Sequence, residues 1–317
     1  MYNYAPVLIP TLNRHVHFKR CVESLSACTH ADKTDLFIFL DYPLKDTHWE
    51  GYELIKAYLP SIKGFKTVNV IEREKNYGAV DNFFKSLEYV FERHDRLIFS
   101  EDDNEFSPNF LEYINKGLDI FEYDPNVVAI CGYNYPIVIP NDYIQNYYYY
   151  KAFSAWGFGA WKDKSLKFNC NHYEIPRLIK NKNYIKESIR YYQFANLEYV
   201  LRSIIQEKNL FGDGAITVNM IKNNKYGVFP TISKVINYGH DGSGVNCGTS
   251  IDDVFLKQKI DRDNKFIYSE RAPLKDKHII KKLRHYISLN YKEQVKFFIM
   301  CLIYIPKLLI RKKFNFL

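Results

Sequence analysis

Three adjacent carboxylates, Glu101, Asp102 and Asp103, follow the apolar run in the segment RLIFSEDDNEFSPNF. Side by side they repel one another, and a turn needs no more than one of them, so the cluster calls for a positive partner. At the end of a buried strand, neighbouring side chains leave the backbone in different directions. One carboxylate can then bind a hard cation while the others accept hydrogen bonds from a sugar or ribose. Mg2+ or Mn2+ held by one protein carboxylate takes its other ligands from phosphates and water. A solvated acidic turn that caps the next helix is the alternative reading of the same residues.

Other residues have side chains or backbone suited to the same chemistry. Trp156 and Gly157 pair an aromatic wall with a backbone slim enough for a sugar ring to approach, or else pack internally. Asp213, flanked by Gly212 and Gly214, can project into a crowded pocket as a general base, or belong to an ordinary turn. The glycine-dense stretch YGHDGSGVNCG offers backbone N–H groups to a phosphate, with Ser243 and Gly244 in a loop able to close over a ligand; a plain surface loop has the same composition.

The elements that must position these groups are legible as an alternation of short β-rich runs and helix-length segments over residues 1–130. The pattern predicts strands from Val7 to Pro10, Leu36 to Leu40, Thr67 to Ile71, Leu97 to Ser100 and Val127 to Cys131. Helical periodicity runs from Val16 to Ala27, Trp49 to Leu59 and Ala79 to Phe91. Ser107 and Pro108 read as an N-cap and first helical residue of a further helix to about Phe121. The fold class is α/β, a mostly parallel sheet flanked by helices. Ligands of such sheets bind beyond the carboxyl ends of the strands. Asn13 and Arg14 follow the first strand, Asp41 the second, Asn76 the third and the acidic triplet the fourth. Residues 131–280 are less regular, with a helix expected near 184–208, and read as the acceptor-binding half of the same domain.

Composition excludes several classes. At 317 residues the chain can bury a full core. Its six cysteines are scattered, without a C-x-x-C pair, which fits a reduced protein without structural zinc. The start MYNYAPVLIP lacks the basic and apolar regions of a secretory signal, so a cytoplasmic protein is expected. The net charge of +8 lies in residues 281–317, which hold nine Lys or Arg against the single acid Glu293. The remainder is near neutral, which argues against a nucleic-acid-binding face. Within this tail, FFIMCLIYIPKLLI is shorter than the roughly 20 apolar residues a spanning helix needs and is broken by Pro306 and Lys307. With basic residues on both sides it reads as a segment lying on an anionic membrane surface, or as a helix packed on the core.

The ordered series PVLIPTLNRHVHFKRCVESL, FLDYP, RLIFSEDDNEFSPNFLEYI, DPNVVAICGYN, the Trp-Gly segment and VFPTISKVINYG resembles nucleotide-sugar-dependent glycosyltransferases of the GT-A class. Within that class it is most similar to the N-acetylglucosaminyltransferase I type, over roughly residues 5–250. The resemblance implies an inverting, metal-dependent transfer from a UDP-sugar to an acceptor hydroxyl, on a glycan or, as the basic tail suggests, on a lipid-linked acceptor. Asp103 would bind the Mn2+ or Mg2+ that bridges the donor phosphates, with Asp102 at the ribose and Glu101 at the transferred sugar. Arg14 would lie near the pyrophosphate, Asp41 at the uracil ring, and Asn76 in a turn beside the nucleotide. Trp156 and Gly157 would face the donor sugar, Ser243 and Gly244 would belong to a lid, and Asp213 would be the base. The family has Trp-Asp-Asp-Trp around that base, and here both Trp residues and the first Asp are missing. With a lipid-linked acceptor, the basic tail would keep the enzyme at the inner face of a bacterial membrane, in surface polysaccharide or glycolipid synthesis. A sugar-nucleotide nucleotidyltransferase would also use acids, metal and an α/β sheet, but TLNRHVHFKR contains no glycine for its phosphate loop. A membrane-associated sugar-binding scaffold without turnover is the non-enzymatic alternative.

Overall fold

The computed structural model describes residues 4–164, 169–243 and 258–311. The chain divides into two units: residues 1–136, 141–166 and 226–274 form the first, and 137–140, 167–225 and 275–317 the second.

The first unit is α/β. Strands β1 (Val7–Thr11), β2 (Asp35–Leu40), β3 (Thr67–Glu72) and β4 (Arg96–Phe99) alternate with helices α1 (His15–Ser26), α2 (Asp46–Tyr58) and α3 (Gly78–Phe91). Then follow β5 (Asn104–Phe106), α4 (Phe110–Ile120), β6 (Val127–Cys131), β7 (Tyr147–Tyr150) and β8 (Phe158–Trp161). The main sheet has eight strands, completed by β11 (Tyr226–Pro230), in the order β3-β2-β1-β4-β8-β6-β11-β7. The β3-β2-β1-β4 run is parallel throughout, while β8 runs antiparallel to both β4 and β6, and β7 antiparallel to β11. The runs in β1, β2 and β4 are apolar without alternation because these strands are covered on both faces, as central parallel strands are, whereas the edge strand β3 is half-buried to exposed.

The reversed strand β8 explains part of the segment SAWGFGAW. Phe158 is fully buried, and a Cβ on Gly159 would lie 2.5 Å from Ile114 Cγ2 of α4. Gly159 therefore serves the close approach of α4 to the sheet. The helix α4 begins later than the Ser-Pro signal predicts, with Asn109 at its N-cap. Ser107 Oγ instead donates to Asn109 Oδ1, and Asn109 Nδ2 donates to buried Asp261, so the Ser-Pro pair belongs to a turn held by distant residues.

The second unit is mostly helical. It contains β9 (Asn169–Cys170), paired antiparallel with β10 (Leu210–Phe211), and helices α5 (Ile175–Leu178), α6 (Lys182–Tyr192), α7 (Ala195–Gln206), α8 (Gly212–Lys222), α9 (Lys277–Ile287) and α10 (Tyr291–Arg311). The single helix expected over 184–208 is two helices, because Gln193 takes a φ of 53° and breaks the hydrogen-bond ladder between α6 and α7. Periodicity persists across the break, since both helices bury one apolar face, including Tyr184, Val200 and Ile204, in a common cluster.

In the C-terminal segment α9 packs on α6 and buries Ile279, Ile280 and Leu283. Phe297 of α10 stacks on Phe194 at 5.6 Å, and the helix continues through Pro306. No helix among the described residues is long and apolar enough to cross a membrane.

Candidate functional site

The carboxyl ends of β1, β2, β3 and β4 carry the polar groups of the first unit, and these fall into two hydrogen-bonded clusters. The link between them is short, because Asp41 N donates to Thr11 O at 2.8 Å.

The first cluster surrounds the acidic triplet. Asp102 and Asp103 are buried, at 5% and 6% exposure, which rules out a solvated acidic turn. Thr11 Oγ1 donates to Asp102 Oδ2 at 2.7 Å. Arg14, the N-cap residue of α1, reaches both carboxylates: Nη1 donates to Asp103 Oδ2 at 2.8 Å and Nη2 to Asp102 Oδ1. The helix that carries Arg14 is seated on β4 by Cys21, whose thiol donates to Glu101 O at 3.5 Å.

Burial raises the Asp102 carboxyl above its usual range, against the opposing pull of Arg14 and with Asp103 adding to it. Burial works against the charge of Arg14 as well, yet Asp102 and Asp103 hold the guanidinium above its ordinary value. Breaking a buried ion pair costs about 3–5 kcal/mol in general, so this pair ties the start of α1 to the end of β4.

The other side of the cluster comes from a part of the chain more than 130 residues away. The strand β5, which starts right after Asp103, pairs antiparallel with β12 (Val235–Asn237), matching Asn104 with Asn237. That register places Asn237 Nδ2 2.6 Å from Asp103 Oδ1 and 3.0 Å from Asn104 Oδ1, with Glu101 Oε2 at 3.5 Å. Tyr238 N donates to Asp103 O at 2.8 Å. A Cβ on Gly239 would lie 2.3 Å from Asp103 Oδ2, so only glycine lets the backbone come this close to the carboxylate. Two residues of α1 hold this segment: Arg20 lies over the Tyr238 ring at 4.1 Å, and His17 Nε2 lies 3.0 Å from Asp241 Oδ2.

Trp156 joins the same wall. Its ring meets those of Tyr133 and His240 edge-on, at 4.7 Å and 5.6 Å, and His240 follows Gly239 in the chain. Gly157 has a φ of +73°, and a Cβ there would come within 3.0 Å of Phe110 and Val235, so the turn into β8 requires glycine. Ser243 N donates to Asp241 Oδ1 at 2.9 Å. Gly244 lies outside the described residues.

The second cluster surrounds Asp41. Its Oδ1 accepts from Tyr42 N and Tyr77 N, both at 2.9 Å, and its Oδ2 accepts from Gly78 N at 2.9 Å and Asn76 Nδ2 at 3.4 Å. Asp41 thus caps α3 from another strand and satisfies N–H groups that the helix itself leaves open. Asn76 also donates to Tyr42 O at 2.5 Å, which closes the turn after β3 against the one after β2. Four donors occupy about all the lone-pair directions a carboxylate has. Among the described residues, Asp41 is therefore a structural anchor of the crevice wall.

Asp213 belongs to the second unit. It is exposed in the first turn of α8, where Gly212 has a φ of +62° and a Cβ on Gly214 would lie 2.5 Å from the Tyr199 hydroxyl. The Gly-Asp-Gly turn is thus a helix start, and both glycines are there for backbone and packing reasons.

Thr11, Asn237 and Gly239 are missing from the residues singled out in the sequence. Gly239 lies in the glycine-dense stretch, but nothing in the sequence pairs it with Asp103; that contact follows from the pairing of β5 with β12.

The cluster suits a hard divalent cation in one respect. Asp103 presents carboxylate oxygens with neutral Asn237 on the Oδ1 side, while on the Oδ2 side it meets Arg14 and the close backbone of Gly239. Among the described residues no group of three His, Cys, Asp or Glu converges to hold a metal unaided, so most ligands would have to come from substrate and water.

No family model and no curated protein matches the sequence. Among solved structures, TarS of S. aureus is similar at a TM-score of 0.31 and 15% identity, over 44% of this chain and 23% of that one. The mannosyltransferase PcManGT from Pyrobaculum calidifontis, in complex with GDP-Man and Mn2+, is similar at a TM-score of 0.38 and 10% identity, over 69% and 68% of the two chains. The chain therefore spans about a quarter of TarS and about two thirds of PcManGT.

Proposed function

We propose that this protein is a glycosyltransferase that moves a sugar from a UDP-sugar to a hydroxyl of a glycan or lipid-linked acceptor, with inversion. The observation that carries the reading is the buried Asp102–Asp103 pair at the carboxyl end of β4, faced by Arg14 and by bare backbone at Gly239. A carboxylate pair buried at the ligand-binding end of a mostly parallel sheet, with a cationic side chain across it, suits a diphosphate ligand.

In this reading Asp103 holds Mn2+ or Mg2+, which when bound neutralises charge on the donor diphosphate. Arg14 donates to phosphate oxygens, and Asp102, kept in place by Thr11, accepts from the ribose. Glu101 and the Trp156–Gly157 wall border the donor sugar. Asp41 and Asn76 set the opposite wall by fixing the start of α3, and Ser243 lies in the segment that α1 holds through Asp241. Asp213 takes the proton from the acceptor hydroxyl; that oxygen attacks the anomeric carbon, whose bond to the diphosphate breaks with the electron pair leaving on UDP.

Calorimetric titration of UDP into the protein, with Mn2+ and then with chelator, tests the donor site. Metal-dependent binding of UDP is expected. Equal binding in both conditions removes the metal role of Asp103, and no binding in either removes uridine as the base.

The same reading places the acceptor at an anionic membrane surface contacted by α10. Phe298, Ile299, Leu302 and Ile303 of that helix are 48%, 50%, 78% and 45% exposed, on a segment rich in Lys and Arg. An apolar face with basic flanks favours the interface of anionic lipid. The protein is expected to sediment with vesicles containing phosphatidylglycerol, less with neutral vesicles, and less again as Leu302→Asp. Sedimentation of Leu302→Asp equal to that of the unaltered protein would overturn this role of the helix.

A further inference from the structure

The groups around Asp103 are already engaged from both sides. Its Oδ2 accepts from Arg14 Nη1 at 2.8 Å, and its Oδ1 from Asn237 Nδ2 at 2.6 Å. Beside Oδ2, on the Gly239 flank, lies backbone so close that a Cβ would sit at 2.3 Å. A cation that joined Oδ2 would therefore meet the guanidinium at short range, with both positive charges inside a largely buried cluster. Like charges repel most where solvent screens them least.

We propose that Arg14 is a built-in competitor for the divalent cation: its guanidinium occupies Asp103 in the free protein and must release that carboxylate before a cation binds there. This inference rests on the metal role of Asp103 proposed above. The geometry allows the exchange without loss of the whole ion pair. Arg14 bridges two carboxylates through separate nitrogens, Nη2 to Asp102 and Nη1 to Asp103. The planar fork can keep Asp102 while Nη1 turns to another acceptor, and a diphosphate oxygen is such an acceptor. Cation and diphosphate would then favour each other's binding, and the free protein would hold the cation weakly. The same side chain would neutralise the buried carboxylates while the site is empty, so that they do not need the metal to fold.

The test uses Mn2+ alone as the probe, with free Mn2+ read by electron paramagnetic resonance, on the full chain and on Arg14→Gln. Glutamine retains a hydrogen-bond donor for the two carboxylates and removes the charge. Arg14→Gln is expected to bind Mn2+ at least about tenfold more tightly, within the range by which neighbours of a metal ligand tune its affinity. Equal or weaker binding by Arg14→Gln than by the unaltered protein overturns the competitor role, while the metal reading survives if both bind. Binding by neither protein overturns the metal reading and the inference together. Loss of the tightened binding in Arg14→Gln/Asp103→Asn would place the ion on Asp103, whereas retention there would place it elsewhere and overturn the inference. Should Arg14→Gln fail to fold, the Arg14 side-chain nitrogen resonances of the unaltered protein carry the test. They are expected to shift on addition of Mg2+ and UDP together, and unchanged resonances at saturation overturn the inference.

Discussion

Asp103→Asn is expected to bind UDP in the presence of Mn2+ no more tightly than the unaltered protein does with chelator. The substitution removes a negative charge and turns one of two acceptor oxygens into a donor. Both oxygens are in use, by Arg14 at 2.8 Å and by Asn237 at 2.6 Å, so one of those donors would face the new amide N–H. The loss of metal-dependent UDP affinity should reach at least about 10- to 100-fold, because residues that merely support a metal ligand already have effects of that size. UDP affinity measured with chelator should change much less, which separates a lost ligand from a collapsed pocket. A thermal melt should show a cost of about 1–3 kcal/mol, that of one buried donor left facing the amide N–H, with Arg14 keeping its pair with Asp102. If metal-dependent UDP affinity survives in Asp103→Asn, the cation is held elsewhere and the assignment is wrong.

Asp213→Asn is expected to lower transfer by about 10²- to 10⁴-fold, the usual worth of a positioned general base. Donor binding should stay intact. The amide has the shape of the carboxylate but cannot take up the acceptor proton. The position is exposed in the first turn of α8, where losing an acid's favourable charge at the helix N-terminus costs about 0.3–1 kcal/mol, too little for the fold to account for the loss. The neighbouring glycines are unsuitable controls, since a side chain at Gly212 would be strained and one at Gly214 would strike Tyr199. UDP released from a UDP-sugar in the presence of a bacterial membrane lipid extract is the readout. Release by Asp213→Asn at the unaltered rate would take this residue out of the base role.

The contrast between these residues shows where sequence reading works in this chain. The β1 to β4 strands and α1 to α3 lie within a residue or a few of their expected positions, because each is specified by its own local run of apolar residues. The acidic triplet was conspicuous for a similar reason: like charges packed together are costly unless something offsets them. The strand-end positions of Arg14, Asp41 and Asn76 follow from the same alternation of strand and helix.

What local pattern could not convey was which of those polar groups face one another. Arg14 and Asp103 are 89 positions apart and meet because β1 and β4, distant in sequence, lie side by side in the sheet. Asn237 and Gly239 reach Asp103 only through β5 and β12, strands of three residues each, too short to stand out by composition. Asp41 illustrates the opposite case, since the resemblance sets it at the uracil ring and in the fold its carboxylate is filled by four donors. The break at Gln193 likewise leaves no mark in the periodicity, because both flanking helices bury the same kind of face.

The sequence by itself thus determined the α/β class, the order of the first strands and the chemical type of the candidate site. Each depends on side chains close together in the chain. Only the tertiary structure decided that a guanidinium, an amide and a bare glycine backbone surround Asp103. Those neighbours come from separate strands and loops, and backbone pairing across the sheet, rather than any local preference, brings them within hydrogen-bond distance.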